Sequence, residues 1–292
     1  MSFESIDQLE AGLRNNNYIT DHSLSTAIYL AVKLQRPLFL EGEAGVGKTE
    51  VAKILSQLLD TQLIRLQCYE GLDIHQAVYE WNYTRQLLHI RRLEAKGQQT
   101  DEKELFGPEF LLARPLLQAI QYSGEKPPVL LIDELDRSDE EFEAFLLEML
   151  ADFQISIPEL GTISAYHPPI VIITSNRTRE VHDAIKRRCI YNWIEYPSFE
   201  KELEIVLAKT PEVTVNLAQQ VTAFVQRLRQ EDLYKLPGVA ETLDWARALI
   251  ELDQTALNIR VVEDTLGIVL KYHDDVQKVQ GDITSAIIKE VV

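Results

Sequence analysis

The chain is poor in cysteine. Its 292 residues include two, Cys68 and Cys189, far apart and in no CxxC pair. A reducing compartment fits that usage, with both thiols as small apolar core groups. The chain is also short of positive charge: 29 Lys+Arg stand against 46 Asp+Glu, a net charge of −17. Such a surface repels phosphate backbones and gives non-specific nucleic-acid binding little support, although a local basic patch stays compatible with an average. Long hydrophobic runs are missing too. The longest apolar stretches are strand-sized, too short to cross a bilayer. The acidic stretch Met1–Asp7 has no apolar run of the kind a signal peptide needs. A cytoplasmic protein without membrane spans is expected. The six histidines show no metal spacing, and no repeat or low-complexity segment stands out.

What is present is an ordinary globular composition, 46% hydrophobic and 26% charged, enough to bury a core without disulfides or metals. Short β-branched runs alternate with helical patterns. Residues 37–41, 63–67, 129–133, 170–174 and 191–195 read as strands, apolar enough to be covered on both faces. Val51, Ile54, Leu55, Leu58 and Leu59 keep helical spacing, as do Phe142, Phe145, Leu146, Met149 and Leu150. Phe153 to Ser164 reads as a β-hairpin, and the acidic run Asp139–Glu143 as a solvated helix start. The alternation predicts a doubly wound α/β domain with a parallel five-stranded sheet over residues 1–197. From about 198 to 292 the pattern is helical throughout, which predicts a small all-helical lid domain.

Gly42, Glu43, Ala44, Gly45, Val46, Gly47, Lys48 and Thr49 match G-x-x-x-x-G-K-[ST], with Glu50 next. Gly42 and Gly47 let the loop curl so that backbone N–H groups face phosphate oxygens. Lys48 is placed to reach the β- and γ-phosphates, and the Thr49 hydroxyl to ligate Mg²⁺. The following helix turns its positive end to the anion. Chance supplies this pattern in roughly one chain in a hundred of this length. A strand before it and an amphipathic helix after it favour the phosphate loop over a plain glycine-rich turn. Val129 to Asp133 is a hydrophobic strand ending in Asp133–Glu134. Asp133 is the candidate Mg²⁺ residue and Glu134 the candidate base for the attacking water. The guanine signature Asn-Lys-x-Asp is absent, so ATP is the expected nucleotide. Asn176, after the fourth strand, either orients the lytic water or caps the next segment.

Together these residues resemble an AAA+ ATPase, and specifically the MoxR family. Further likeness lies in Asp183-Ala-Ile-Lys-Arg-Arg188, in Leu236 to Trp245, and in the hairpin before the fourth strand. The resemblance covers essentially the whole chain. It implies a fourth strand between the first and third, with Asn176 as the sensor beside the γ-phosphate. It implies an arginine finger acting on a neighbouring subunit, with Arg188 favoured by register and Arg187 next; the bland reading is a solvated basic helix end. Tyr18 and Ile19 resemble the segment lining the adenine, or else are ordinary core. One departure is clear: Ala240 stands where a lid arginine is usual, and Arg247 lies about two turns on. Trp81 and Tyr83 are candidate client contacts, with aromatic packing as the alternative. The resemblance further implies a homo-oligomeric ring, a hexamer, and a partner carrying a von Willebrand factor A domain.

Three functions compete. The first is Mg²⁺-dependent ATP hydrolysis that drives chaperone-like remodelling or maturation of a client protein or metalloenzyme complex. The second is an AAA+ nucleic-acid motor, disfavoured by the net charge of −17. The third is a non-hydrolysing nucleotide switch, disfavoured by intact Lys48, Asp133 and Glu134.

Overall fold

The computed structural model describes residues 3–97 and 102–292; Met1 and Ser2 of the N-terminal stretch lie outside them. The chain divides into two compact units, one of residues 1–9, 22–41 and 49–193, the other of 10–21, 42–48 and 194–292.

The first unit is built on five strands. They are β1 (Leu38–Gly42), β2 (Leu63–Gln67), β3 (Val129–Asp133), β4 (Ile170–Ser175) and β5 (Ile190–Ile194). Their order is β2-β3-β4-β1-β5, with parallel pairing in β2–β3, β3–β4 and β4–β1. The predicted sheet is therefore present, with β4 between β3 and β1. Strands β2 and β3 have the predicted bounds, whereas β1 and β5 are shifted by one residue. β1 and β3 are buried at every position, as apolar central strands must be. β2 lies at the sheet edge and alternates instead: Ile64 and Leu66 are buried, while Arg65 is exposed. Arg65 and Gln67 therefore share one face.

Helices α1 (Lys48–Leu59) and α2 (Glu140–Asp152) carry the expected apolar stripes. Val51, Ile54, Leu55, Phe142, Leu146 and Met149 are buried, each worth about 1.5–3 kcal/mol in removed apolar surface. The predicted hairpin pairs Gln154–Ile157 with Gly161–Ser164. A second small antiparallel pair, Tyr79–Trp81 with Leu111–Ala113, was not expected from the sequence. It buries Trp81 edge-on between Tyr79 and Phe106, so Trp81 is packing rather than a client contact; Tyr83 is exposed. The acidic helix start needs correction as well. Asp139 caps α2 by accepting from the Phe142 N–H, but Glu143 is buried, paired with Arg179 and accepting from the His182 N–H at 2.7 Å. Position four of that helix faces inward, and a buried carboxylate there needs those donors.

The second unit has its own core. Helices α4 (Phe199–Lys209), α5 (Val215–Leu228), α6 (Val239–Glu251) and α7 (Ile259–Val269) follow the short α3 (Asp183–Arg188) of the first unit. They bury Val206, Leu217, Val221, Phe224, Trp245 and Leu266 together. Ser198, Thr214 and Asn258 cap three of them through side-chain oxygens. Among the described residues no helix is long and apolar enough to cross a membrane.

Candidate functional site

The phosphate loop continues directly from β1. Gly42 (φ 154°) allows a close approach that any side chain would block: a Cβ there would lie 2.2 Å from the Ile194 carbonyl oxygen. Gly47 (φ 94°) takes a backbone conformation that L side chains rarely adopt. Lys48 is buried, and its ammonium donates to the carbonyls of Gly42 at 2.8 Å and Glu43 at 2.6 Å. The cation is thus held against the loop it serves. α1 begins at Lys48, so its unsatisfied N–H groups open on the loop. Tyr18 and Ile19 are buried, and the Tyr18 hydroxyl lies 3.5 Å from the Gly47 oxygen. The crest of the loop meets α6: the Ala240 N–H donates to the Gly45 oxygen at 3.2 Å. Ala240 therefore contributes backbone, not charge, at the position where a lid arginine is usual. Arg247 is exposed and faces Asp244 at 3.6 Å.

In the first unit, four elements converge on two carboxylates. Asp133 closes β3 and is almost fully buried. Its Oδ1 accepts from the Thr49 hydroxyl at 3.0 Å and from the Thr174 hydroxyl at 2.6 Å. Its Oδ2 accepts from Arg65 at 2.6 Å. Glu134 follows in the left-handed region (φ 56°, ψ 50°), a conformation a non-glycine residue keeps only when its surroundings enforce it. The enforcement is visible: its N–H donates to the Thr174 hydroxyl at 2.9 Å. The turn aims the Glu134 carboxylate at Asn176, whose amide donates to Oε1 at 3.3 Å. Gln67 donates to Oε2 at 3.1 Å, and Arg137 lies 3.3 Å from the same oxygen.

Asn176 is held in turn. Buried Asp136 accepts from the N–H of Asn176 at 3.1 Å and from the N–H and hydroxyl of Thr178 at 2.8 and 2.7 Å. A cavity of about 670 Å³ opens beside Asp136, Arg137, Thr178 and Arg179. Asp136, Thr174, Arg65 and Gln67 were not singled out in the sequence. Thr174 and Asp136 sit beside recognised motifs, which is the only signal they give; the two on β2 give none.

Arg187 and Arg188 end α3 in exposed positions. Arg187 pairs with Asp183 at 2.7 Å, and Arg188 donates to the Leu147 oxygen at 3.0 Å. Their backbone is fixed from both sides. Arg36 donates to the carbonyls of Arg187, Arg188 and Cys189, the usual service of a cation at a helix C-terminus. Lys186 meets buried Glu41 of β1 at 3.1 Å, and the Tyr191 hydroxyl donates to the same carboxylate at 2.8 Å. Burial and then that bond to Glu41 push the Tyr191 phenol up to about 12.

A Thr hydroxyl and a carboxylate 3.0 Å apart are hard oxygen donors of the kind Mg²⁺ takes, its other ligands being water and phosphate. Among the described residues no cluster of three or more His, Cys, Asp or Glu could hold a metal by itself, as a soft-metal or zinc site would require. The donor set therefore fits magnesium shared with a phosphate ligand.

Residues 37–189, about half the chain, match the model of the AAA domain, dynein-related subfamily. The chain belongs to that AAA family. The match runs from the first residue before β1 to the end of α3, so it contains the phosphate loop, both carboxylates, Asn176 and both arginines. AAA domains are nucleotide-dependent modules that generally assemble as rings. No curated protein matches the chain. Among solved structures it is similar to a Thermotoga maritima RuvB variant (18% identity over 94% of this chain and 73% of that one, TM-score 0.49). It is also similar to a Cytophaga hutchinsonii protein described as a candidate ATPase (12%, 98% and 95%, TM-score 0.49).

Proposed function

We propose that this AAA protein binds ATP with Mg²⁺ and hydrolyses it. We further propose that it acts as a ring of the MoxR type, remodelling or maturing a client protein or metalloenzyme complex. The observation that carries the hydrolytic reading is the hydroxyl–carboxylate cluster of Thr49, Asp133 and Thr174, with Glu134 turned out beside it and steadied by Asn176. Lys48 neutralises β- and γ-phosphate charge. Thr49 and Asp133 are the residues that would hold magnesium, which when bound spreads the charge developing on the phosphates. Glu134 takes the proton of the attacking water, and Asn176 orients that water against the γ-phosphate. Glu43, Ala44, Gly45, Val46 and Glu50 shape the loop, and Tyr18 and Ile19 line the adenine. Arg188, from a neighbouring copy, stabilises the transition-state charge. Residues 198–292 act as the lid whose movement is passed to the client. A hexamer and a partner with a von Willebrand factor A domain belong to the same reading.

Glu134→Gln tests the chemistry. The substitution keeps the side chain's shape and its bond from Asn176 but removes the base. ATP affinity is expected to stay within about twofold while turnover falls by about a hundredfold or more, the range typical of general-base loss. A fluorescent-nucleotide titration beside a phosphate-release assay reads both. An unchanged rate removes Glu134 as the base. Stimulation of turnover by DNA at physiological salt would displace the remodelling reading in favour of a nucleic-acid motor.

A further inference from the structure

The Asp133 carboxylate already accepts from three donors. Two hydroxyls hold Oδ1, and a guanidinium holds Oδ2 at 2.6 Å. Asp133 is buried, so its charge needs a cationic or hydrogen-bonded partner at all times. Arg65 is different: its side chain is half exposed, on the edge strand of the sheet. It also has a second anchor, the Gln67 Oε1 at 2.5 Å. One partner of the pair is fixed, and the other can swing into water.

We propose that Arg65 competes with the divalent cation for Asp133 and so sets the Mg²⁺ concentration that the site requires. The inference rests on Thr49 and Asp133 being the metal-binding pair, as proposed above. A guanidinium bonded to Oδ2 lowers the negative potential that a metal ion would feel at the same carboxylate. Metal and guanidinium also repel each other across it. Metal capture therefore includes the displacement of Arg65 toward solvent, which the edge position permits. The same displacement breaks the bond from Arg65 to Gln67. That bond orients the Gln67 amide toward Glu134, so the metal-binding residue and the base are linked through two side chains of β2. Arg65 is on this account a positioning residue that acts through Asp133.

The test is Arg65→Met, which keeps the apolar stem and removes the charge, with Arg65→Gln as a second neutral variant should the first not fold. Binding of a fluorescent ATP analogue is titrated against Mg²⁺. Either variant is expected to reach half-saturation at about five- to tenfold less Mg²⁺ than the wild type, a modest coupling between neighbouring sites. In melting curves, Mg²⁺ alone should raise the variant's Tm more than the wild type's, because Asp133 then depends on the ion for its counter-charge. An unchanged or higher Mg²⁺ requirement in a folded variant overturns the proposal while leaving Asp133 as the metal site. Nucleotide binding by the wild type that is the same in EDTA and in Mg²⁺ overturns the metal site itself, and the proposal with it.

Discussion

Glu134 and its neighbours show how far single residues were legible. The phosphate loop could be read because its chemistry fixes residue types at fixed spacing along the chain. Glu134 was singled out because a second carboxylate beside Asp133 suits hydrolysis, and the structure turns it toward Asn176. What could not be read was adjacency across strands. Thr174 bridges Asp133 and the Glu134 N–H from β4, and Arg65 and Gln67 reach the pair from β2. None of these roles has a spacing rule. The cysteines were read as inert core, and the structure gives that physical content. Burial foremost, then the negative charge of Asp133, Asp136, Glu134 and Glu143, pushes the Cys68 thiol up to about 12. Burial pushes Cys189 up to about 12 as well, against a small opposing effect of Arg36. Folded protein at pH 8 should therefore resist maleimide labelling at both positions. The sign of the stability effect follows. The folded state keeps protons on these thiols that the unfolded chain releases near the ordinary thiol value of 9.0. Their contribution is complete below about pH 9 and is lost as pH rises toward 12. A urea midpoint that falls over that window, and not below it, is the expected record.

At the scale of elements, helices were legible where their apolar stripes were clean, and were misjudged where a charge faces inward. Glu143 was one such case. Glu202 on α4, not singled out in the sequence, is likewise completely buried and bonded from several sides. Arg229 grips it with two nitrogens at 2.6 and 2.7 Å; Gln226 and Thr242 each donate at 2.7 Å. Arg229 donates further to the Pro237 oxygen at 2.7 Å and stacks over the Tyr196 ring. One carboxylate thus ties α4, the end of α5 and the start of α6. An isolated glutamate in a helical pattern is normally solvated, so the sequence gives no sign of this role. Glu202→Ala would leave the Arg229 charge buried without its partner. It is expected to cost about 3–5 kcal/mol, the range for breaking a buried pair. Chemical denaturation followed by Trp245 fluorescence measures it, because that indole is buried in the same helical core.

For the whole molecule, the five parallel strands and the helical C-terminal region were legible from the alternation of apolar strands and amphipathic helices, while the place of β4 between β3 and β1 was expected only from the resemblance to AAA+ proteins. The small sheet around Trp81 was not, since three-residue strands carry too little pattern to register. Assembly is the property of this scale that calls for measurement. If Arg188 serves a neighbouring copy, turnover per chain rises with protein concentration and then levels off. Arg188→Ala should then abolish turnover while leaving ATP binding intact. Turnover per chain that stays flat from the most dilute monomeric sample upward would make each chain complete by itself.

The contact between Gly45 and the start of α6 has a consequence of its own. A Cβ on Gly45 would lie 3.3 Å from the Gly238 Cα, and a Cβ on Gly238 would lie 2.7 Å from the Ala44 oxygen. The crest of the phosphate loop rests on backbone that the chain supplies about two hundred residues later, at the start of α6. A fragment stopped at Pro197 would retain every motif by which a nucleotide site is recognised, yet would lack the floor beneath that crest. In this protein the motif is written by Thr49, while the backbone on which its crest packs is supplied only at Gly238 and Ala240.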